Sequence, residues 1–290
     1  MGMINLFNGA ESSPFNQKTF SVLSYNVRLF DLYNWTENKK TRDSIIQLVN
    51  NQNAEIICFQ EFFHEDTGKF NTLDTLKQIL KIKNVHIEYS AHVKNVNHWG
   101  IATFSKYPIL KKGVFNFPDE TDNVSIFTDL LIDNDTVRIY NLHLESVRFR
   151  SEDYKALESI TGKKDQTNLD GPQRILSRMR RAYIRRARQT DIISEHISQC
   201  PYPVLLCGDF NDPPSSYSYH QISKNLEDSF DKGKAGFGST YNGLIPFLRI
   251  DYLLYDPESF ECDSMQVINK EFSDHLPVKA VLRFIPKKTD

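Results

Sequence analysis

Hydrophobic and polar positions divide the chain into short apolar runs that stop at polar residues, interleaved with stretches of helical period. Residues 18–27 (KTFSVLSYNV) alternate and predict a strand ending at Asn26. Residues 39–53 place Ile45, Ile46, Leu48 and Val49 behind a charged start, the pattern of an amphipathic helix. Residues 54–60 (AEIICFQ) read as a buried strand with Glu61 at its end. A helix over 72–82 sets Leu73, Leu76, Ile79 and Leu80 on one side, and a strand follows at 85–92. Short strands at 100–104 and 109–117 are broken by a turn at Lys106, Tyr107 and Pro108. Residues 124–132 and 137–144 alternate on either side of Asp133, Asn134 and Asp135, a hairpin signal. The texture then changes: residues 150–173 are polar and charged, and 174–198 carry a long helical pattern. Val204, Leu205, Leu206 and Cys207 form a continuous apolar run, as in a strand buried on both faces. A short helix near 218–224 and strands at 250–255, 262–268 and 278–284 complete the reading. Strand–helix–strand alternation in both halves, mixed with hairpins, predicts an α/β sandwich with sheets inside and helices outside.

The chemistry collects where these strands stop. In PVLLCGDFNDPP (residues 203–214), Asp209 and Asn211 are two apart and can face the same side of extended chain. Asp offers a hard anionic ligand or base, and Asn an amide that both donates and accepts. The plainer alternative is an Asx turn after a strand. Other strand ends repeat the feature: Asn26 in SYN, Glu61 in FQE, His143 and Glu145 in NLHLES, Asp251 in RIDYLLY, and Asp274 with His275 in FSDHLPV. Each alone is an ordinary strand terminus. Together they predict one shared site, because buried carboxylates are costly unless paired, hydrogen-bonded or metal-bound.

Composition narrows the class without naming it. The 290 residues are 40% hydrophobic with a formal net charge of −2, enough for a large core and neither polycationic nor polyanionic overall. No linker-like tract divides the chain, so residues 18–290 are expected to form one α/β domain behind a polar lead-in at 1–17. The four cysteines, at 58, 200, 207 and 262, form no CxxC or Cys/His cluster, which argues against a disulfide scaffold or a structural zinc site. No run approaches the roughly 18 apolar residues of a membrane span, and no signal-peptide core is present. A cytoplasmic location is the expectation.

These polar motifs, in their order, resemble those of the endonuclease/exonuclease/phosphatase (DNase I-like) superfamily over residues 20–284. The resemblance implies a four-layer α/β/β/α sandwich with the site at one edge of two packed sheets. It also implies metal-assisted cleavage of a phosphoester bond with Mg²⁺ or Mn²⁺. Glu61 matches the principal metal carboxylate, supported by Asn26 and with Asp274 beside the metal. Asp209 and Asn211 match the pair that orients the attacking water and a phosphoryl oxygen. His275 matches the histidine of the SDH motif, and Asp251 the carboxylate that fixes its tautomer. His143 matches a second histidine, a candidate acid or phosphate donor. Tyr241 and Asn242 lie where substrate-facing residues occur, with a simple turn as the alternative.

The choice of phosphoester rests on less. Tyr140, Asn141, Leu142 and His143 depart from the Tyr-x-Pro-Asn pattern of abasic-site endonucleases. Arg174, Arg178, Arg181, Arg185 and Arg188, with Arg180 and Arg186 adding charge, make a basic stripe on the helix within a basic insertion at about 150–198. Ile175, Met179, Ala182 and Ile193 supply a neighbouring apolar stripe. A solvated face whose arginines pair with nearby acids is one reading. The other is a polyanion-binding surface, for nucleic-acid phosphates or an anionic membrane. The expectation is a phosphodiesterase or nuclease acting on nucleic acid, with no obligate protein partner. The alternatives are a sphingomyelinase- or phosphoinositide-type esterase, or a non-catalytic polyanion-binding module.

Overall fold

The computed structural model describes residues 18–94, 96–119, 122–147, 170–232, 238–243 and 248–286. The lead-in at 1–17 and the first part of the basic insertion, 148–169, lie outside the described residues.

Two six-stranded mixed sheets carry the fold. The first contains β1 (Thr19–Asn26), β2 (Ile56–Glu65), β3 (Asn84–Val93), β4 (Asn97–Ser105), β11 (Phe260–Val267) and β12 (Val278–Phe284), in the order β11-β12-β1-β2-β4-β3. The second contains β5 (Ile109–Val114), β6 (Ile126–Ile132), β7 (Asp135–His143), β8 (Val204–Asp209), β9 (Glu227–Asp228) and β10 (Asp251–Tyr255), in the order β5-β6-β7-β8-β10-β9. Among the described residues there are four α-helices: α1 (Thr41–Gln52), α2 (Thr72–Leu80), α3 (Asp170–Ser198) and α4 (Tyr217–Ile222). None is long and apolar enough to cross a membrane.

Three apolar clusters fill the three spaces between four layers. Phe20, Val22, Ile56 and Cys58 meet Ile139, Leu205, Cys207 and Leu253 between the sheets. Leu23, Tyr25, Ile57 and Phe59 turn outward against Ile45, Ile46 and Val49 of α1 and Leu76 of α2. Tyr140, Leu142, Leu206 and Leu254 pack against Ile193 of α3 and Ile222 of α4. Central strands are thus apolar on both faces, which explains why they read as continuous runs rather than alternating ones.

The same parity sets the polar edge. Successive side chains alternate faces, so the inter-sheet positions of β1 run Phe20, Val22, Ser24, Asn26, and those of β7 run Val137, Ile139, Asn141, His143. A buried polar layer separates the apolar core from that edge. Gln60 donates from Nε2 to Asn141 Oδ1 at 2.7 Å and to Ser24 Oγ at 3.2 Å, while Asn141 donates from Nδ2 to Ala102 O at 3.0 Å. These bonds join the two sheets directly below the site.

Element boundaries depart from expectation in two informative places. β2 does not stop at Gln60: it continues to Glu65 through a register shift between Phe59 and Phe62. Glu61 sits in that bulge with φ 49°, as bulges do where a side chain must be re-aimed. Likewise α3 begins at Asp170, ahead of the expected 174.

Candidate active site

Strand register assembles most of the site. β8 pairs in parallel with β7 and antiparallel with β10, so His143, Asp209 and Asp251 stand in one row across three adjacent strands. In the facing sheet β1 and β2 run parallel with Asn26 opposite Gln60, the residue before Glu61. Gly208 makes the close pairing of β7 and β8 possible. Its φ is +141°, and a Cβ there would lie 2.0 Å from Leu142 O. No other residue fits that position.

Asn26 bridges the two sheets at the centre, donating from Nδ2 to Glu61 Oε1 at 3.2 Å and to Asp209 Oδ2 at 3.0 Å. His143 Nε2 lies 3.8 Å from Glu61 Oε1 and 3.7 Å from Asp209 Oδ2. His275 Nε2 approaches Asp209 Oδ2 from the other side at 3.7 Å. Its Nδ1 meets both Asp251 oxygens, at 3.1 and 3.0 Å, which places a proton on Nδ1. Asn211, with φ 53°, donates its backbone N–H to Asp209 Oδ1 at 2.8 Å and its Nδ2 to Leu144 O at 3.1 Å. Asp274 lies 3.4 Å from Arg28 Nε. Ser273 Oγ donates to Asn26 O at 2.9 Å and so fixes the SDH segment to the end of β1.

Burial and crowding of like charge dominate the electrostatics. Burial pushes the Glu61 carboxyl up, partly offset by His275 and Asn26. Burial also pushes Asp209 up, opposed by His275, with Asp251 adding to the rise. At His275 burial favours the neutral ring, but the Asp251 and Asp209 carboxylates outweigh it and hold the imidazole well above its ordinary range. Glu61, Asp209, Asp251 and Asp274 therefore share a cleft whose nearby positive groups are Arg28 and the two histidines. A cation fits such a surplus of carboxylate oxygen. Asp209, Asp251 and His275 each offer a ligand atom within 4.8 Å of one another, a candidate metal cluster. Glu61, Asn26 and Asp274 add oxygen donors of the hard type beside it.

The Glu145 carboxylate turns to Arg185 of α3, whereas Asn26, Glu61, His143, Asp209, Asp251, Asp274 and His275 come to this one cleft. Tyr241 joins it through a bridge to His275, with its ring at 5.1 Å from the imidazole. Asn242 donates its backbone N–H to Asp274 O at 2.7 Å, but its side chain turns to exposed Glu271. The α3 arginines do not form one solvated stripe. Arg185 lies 3.4 Å from Glu145 and Arg188 3.0 Å from Asp119, while Arg181 is exposed and reaches Ser177 at 3.2 Å. Arg186 is fully buried rather than part of the surface charge. Arg178 and Arg174 are half-buried about two and about three turns before Arg185.

Arg28 and the polar layer at Gln60 and Asn141 went unnoticed in the sequence. Arg28 opens a turn, Arg28–Asp31, whose φ values are 44, 54, 55 and 61° without a single glycine. Left-handed backbone costs about 1–2 kcal/mol per residue, and strain of this kind gathers at functional sites. The turn sets the Arg28 guanidinium 4.5 Å over Trp35 and against Asp274. It also sends Leu29 into a cavity of about 450 Å³ lined by Trp99, Val124, Glu61 and His143. A larger groove of about 1000 Å³, between α3 and residues 221–227, contains none of the site residues.

A four-layer sandwich of two mixed sheets with a carboxylate-rich cleft at their shared edge is the DNase I-like fold. Residues 23–275 match the model of the Endonuclease/Exonuclease/phosphatase family, and the chain belongs to that family. It is accordingly a phosphoesterase, a hydrolase. Solved structures agree on the fold. An endonuclease/exonuclease/phosphatase family protein from Bacteroides thetaiotaomicron aligns with TM-score 0.67 at 18% identity, covering 94% of this chain and 100% of its own. A mannosyl-6-phosphatase from the same organism gives 0.65 at 18% identity, covering 91% and 100%. A humanised D. rerio TDP2 gives 0.64 at 14% identity, covering 91% and 99%. No curated protein sequence matches the chain.

Proposed function

We propose that the protein is a Mg²⁺- or Mn²⁺-dependent phosphodiesterase acting on nucleic acid. The convergence of Asn26, Glu61, His143, Asp209, Asp251 and His275 on one cleft carries this reading. Glu61, with Asn26 and Asp274 beside it, would hold the metal; an oxygen donor set suits a hard cation. The bound ion supplies charge neutralisation for the phosphoryl oxygens and the leaving oxyanion.

The chain's own residues do the rest. Asp209 and Asn211 orient a water for in-line attack, Asp209 being buried and fixed by the Asn211 backbone N–H and the Asn26 amide. Asp251 fixes the His275 ring through Nδ1, so that Nε2 faces the reacting centre. An imidazole held charged in this way stabilises negative charge developing on a phosphoryl oxygen. His143, 3.7 Å from Asp209 on its opposite side, would serve as a second donor.

The substrate assignment draws on α3. Arg185 reaches Glu145, two residues past His143, so the arginines begin at the rim of the cleft. At 1.5 Å rise per residue, Arg181, Arg178 and Arg174 extend that basic line by about 16 Å. A line of that length suits a polymeric phosphate chain better than a single headgroup.

The test is a panel of plasmid, oligonucleotides, tyrosyl-DNA, sphingomyelin and inositol phosphates, each with Mg²⁺ or Mn²⁺. Cleavage of a nucleic-acid phosphoester is expected, falling by orders of magnitude in Glu61→Gln, Asp209→Asn and His275→Ala with little change in thermal melt. Turnover confined to lipid or inositol substrates would overturn the substrate assignment, and full activity in His275→Ala would overturn the roles.

A further inference from the structure

Away from the phosphoesterase cleft, three histidines form a row across neighbouring strands. His64 on β2 stands opposite His98 on β4, and His98 stands opposite His92 on β3. Register partners share a face, so the three rings stand side by side. Trp99, next to His98, lines the cavity at the active site. Alternation therefore puts the histidine row on the other face of the sheet, where α2 begins. There the Leu73 backbone N–H donates to His64 Nδ1 at 3.4 Å.

One carboxylate organises the row. Asp66 is held against the hairpin tip by its backbone N–H, which donates to Val96 O at 3.0 Å. Its Oδ1 accepts from His98 Nε2 at 2.9 Å and lies 3.6 Å from His64 Nε2. With its proton on Nε2, neutral His98 presents a lone pair at Nδ1, and that atom faces Nδ1 of His92 at 2.7 Å. A carboxylate behind one ring nitrogen and a lone pair in front is the arrangement that orients metal-binding imidazoles and raises their basicity.

We propose that His92 and His98, on the two arms of the β3–β4 hairpin, form a binding site for a borderline transition ion such as Zn²⁺, Cu²⁺ or Ni²⁺. Asp66 stands behind His98, and water completes the coordination shell. Imidazole nitrogen selects these ions over Mg²⁺. Binding moves the His92 proton from Nδ1 to Nε2 through solvent, so the ring stays neutral and no net proton is released. The two nitrogens must separate to about 3.3 Å, the spacing set by two Zn–N bonds of about 2.0–2.1 Å in tetrahedral geometry. Exposed His92 can make that adjustment by rotating. The ion then ties the two arms of the hairpin together.

Calorimetric titration of Zn²⁺ and Cu²⁺ into the full chain and into Asp209→Asn, which disables the oxygen-rich cleft, tests this directly. Asp209→Asn is expected to show one micromolar site, with a two-nitrogen signature in the Cu²⁺ electron paramagnetic resonance spectrum, and the full chain to show that site in addition to binding at the cleft. In the Asp209→Asn background, His92→Gln and His98→Gln should each weaken it at least tenfold, and Asp66→Asn about tenfold, with far-UV circular dichroism verifying that each variant is folded. Wild-type affinity in both hairpin variants, or no such site in Asp209→Asn, would overturn the proposal.

Discussion

His86 shows how a single buried side chain sets the protein's response to acid. It is 1% exposed and shares its Nδ1 with Thr128 Oγ1 at 2.7 Å, in the space between the sheets. Burial, with Lys112 nearby, lowers its pKa from 6.5 to about 4, and Glu88 at 3.3 Å does not offset that. The unfolded chain therefore binds a proton there between pH 6.5 and 4 that the folded chain refuses. Stability is fully present above pH 6.5 and falls as the pH drops through that window, by about 3 kcal/mol in full. Thermal melts from pH 7 to pH 4.5 should show this loss, and His86→Gln should flatten it. An unchanged acid slope in His86→Gln would assign the loss to other groups.

At the scale of elements, α3 does more than cover the second sheet. Arg186 Nε lies 3.1 Å from Asp212 Oδ2, and its Nη1 donates to Glu145 O at 3.0 Å and to Asn211 O. One buried guanidinium thus closes the loops that leave β7 and β8, the two strands carrying His143 and Asp209. Its own burial lowers its pKa, while burial of Asp212 raises that carboxyl, so each charge depends on the other. Arg186→Met leaves Asp212 without its cation and is expected to cost about 3–5 kcal/mol. The effect reads out as a lower melting temperature and a fall in kcat larger than the change in KM, because Asn211 loses its anchor. Asp212→Asn in the same background should restore part of the melt. No loss of stability in Arg186→Met would remove this role.

The sequence made the motifs at strand ends legible because each is a polar residue after an apolar run, and an apolar run needs no partner to be recognised. Arg186 was not legible. Six other arginines share its helix, and only the packing of α3 on the loops after β7 and β8 separates the buried one from the rest. The left-handed turn at Arg28–Asp31 was equally hidden, since no glycine marks it and only contacts with Asp274 and Trp35 explain it. The Glu61 bulge was missed because the apolar run reads as ending at Gln60; the continuation of the strand to Glu65, and the extra residue within it, show only against β4.

For the whole molecule, the two sheets face each other so that their inter-sheet parity, apolar inside, ends in polar residues at one shared edge. The row His143, Asp209 and Asp251 belongs to one sheet and Asn26 with Glu61 to the other, bridged by the Asn26 amide. Neither sheet alone holds a complete site, and folding is what brings several carboxylates into one cleft against their mutual repulsion. That surplus of negative charge is the physical reason to expect a divalent cation there. The most direct measurement is hydrolysis of bis-p-nitrophenyl phosphate by the purified protein with Mg²⁺ or Mn²⁺, after EDTA, and after the metal is restored. The structure predicts turnover that EDTA abolishes and added metal recovers. Hydrolysis indifferent to EDTA, or none with either metal, would contradict it.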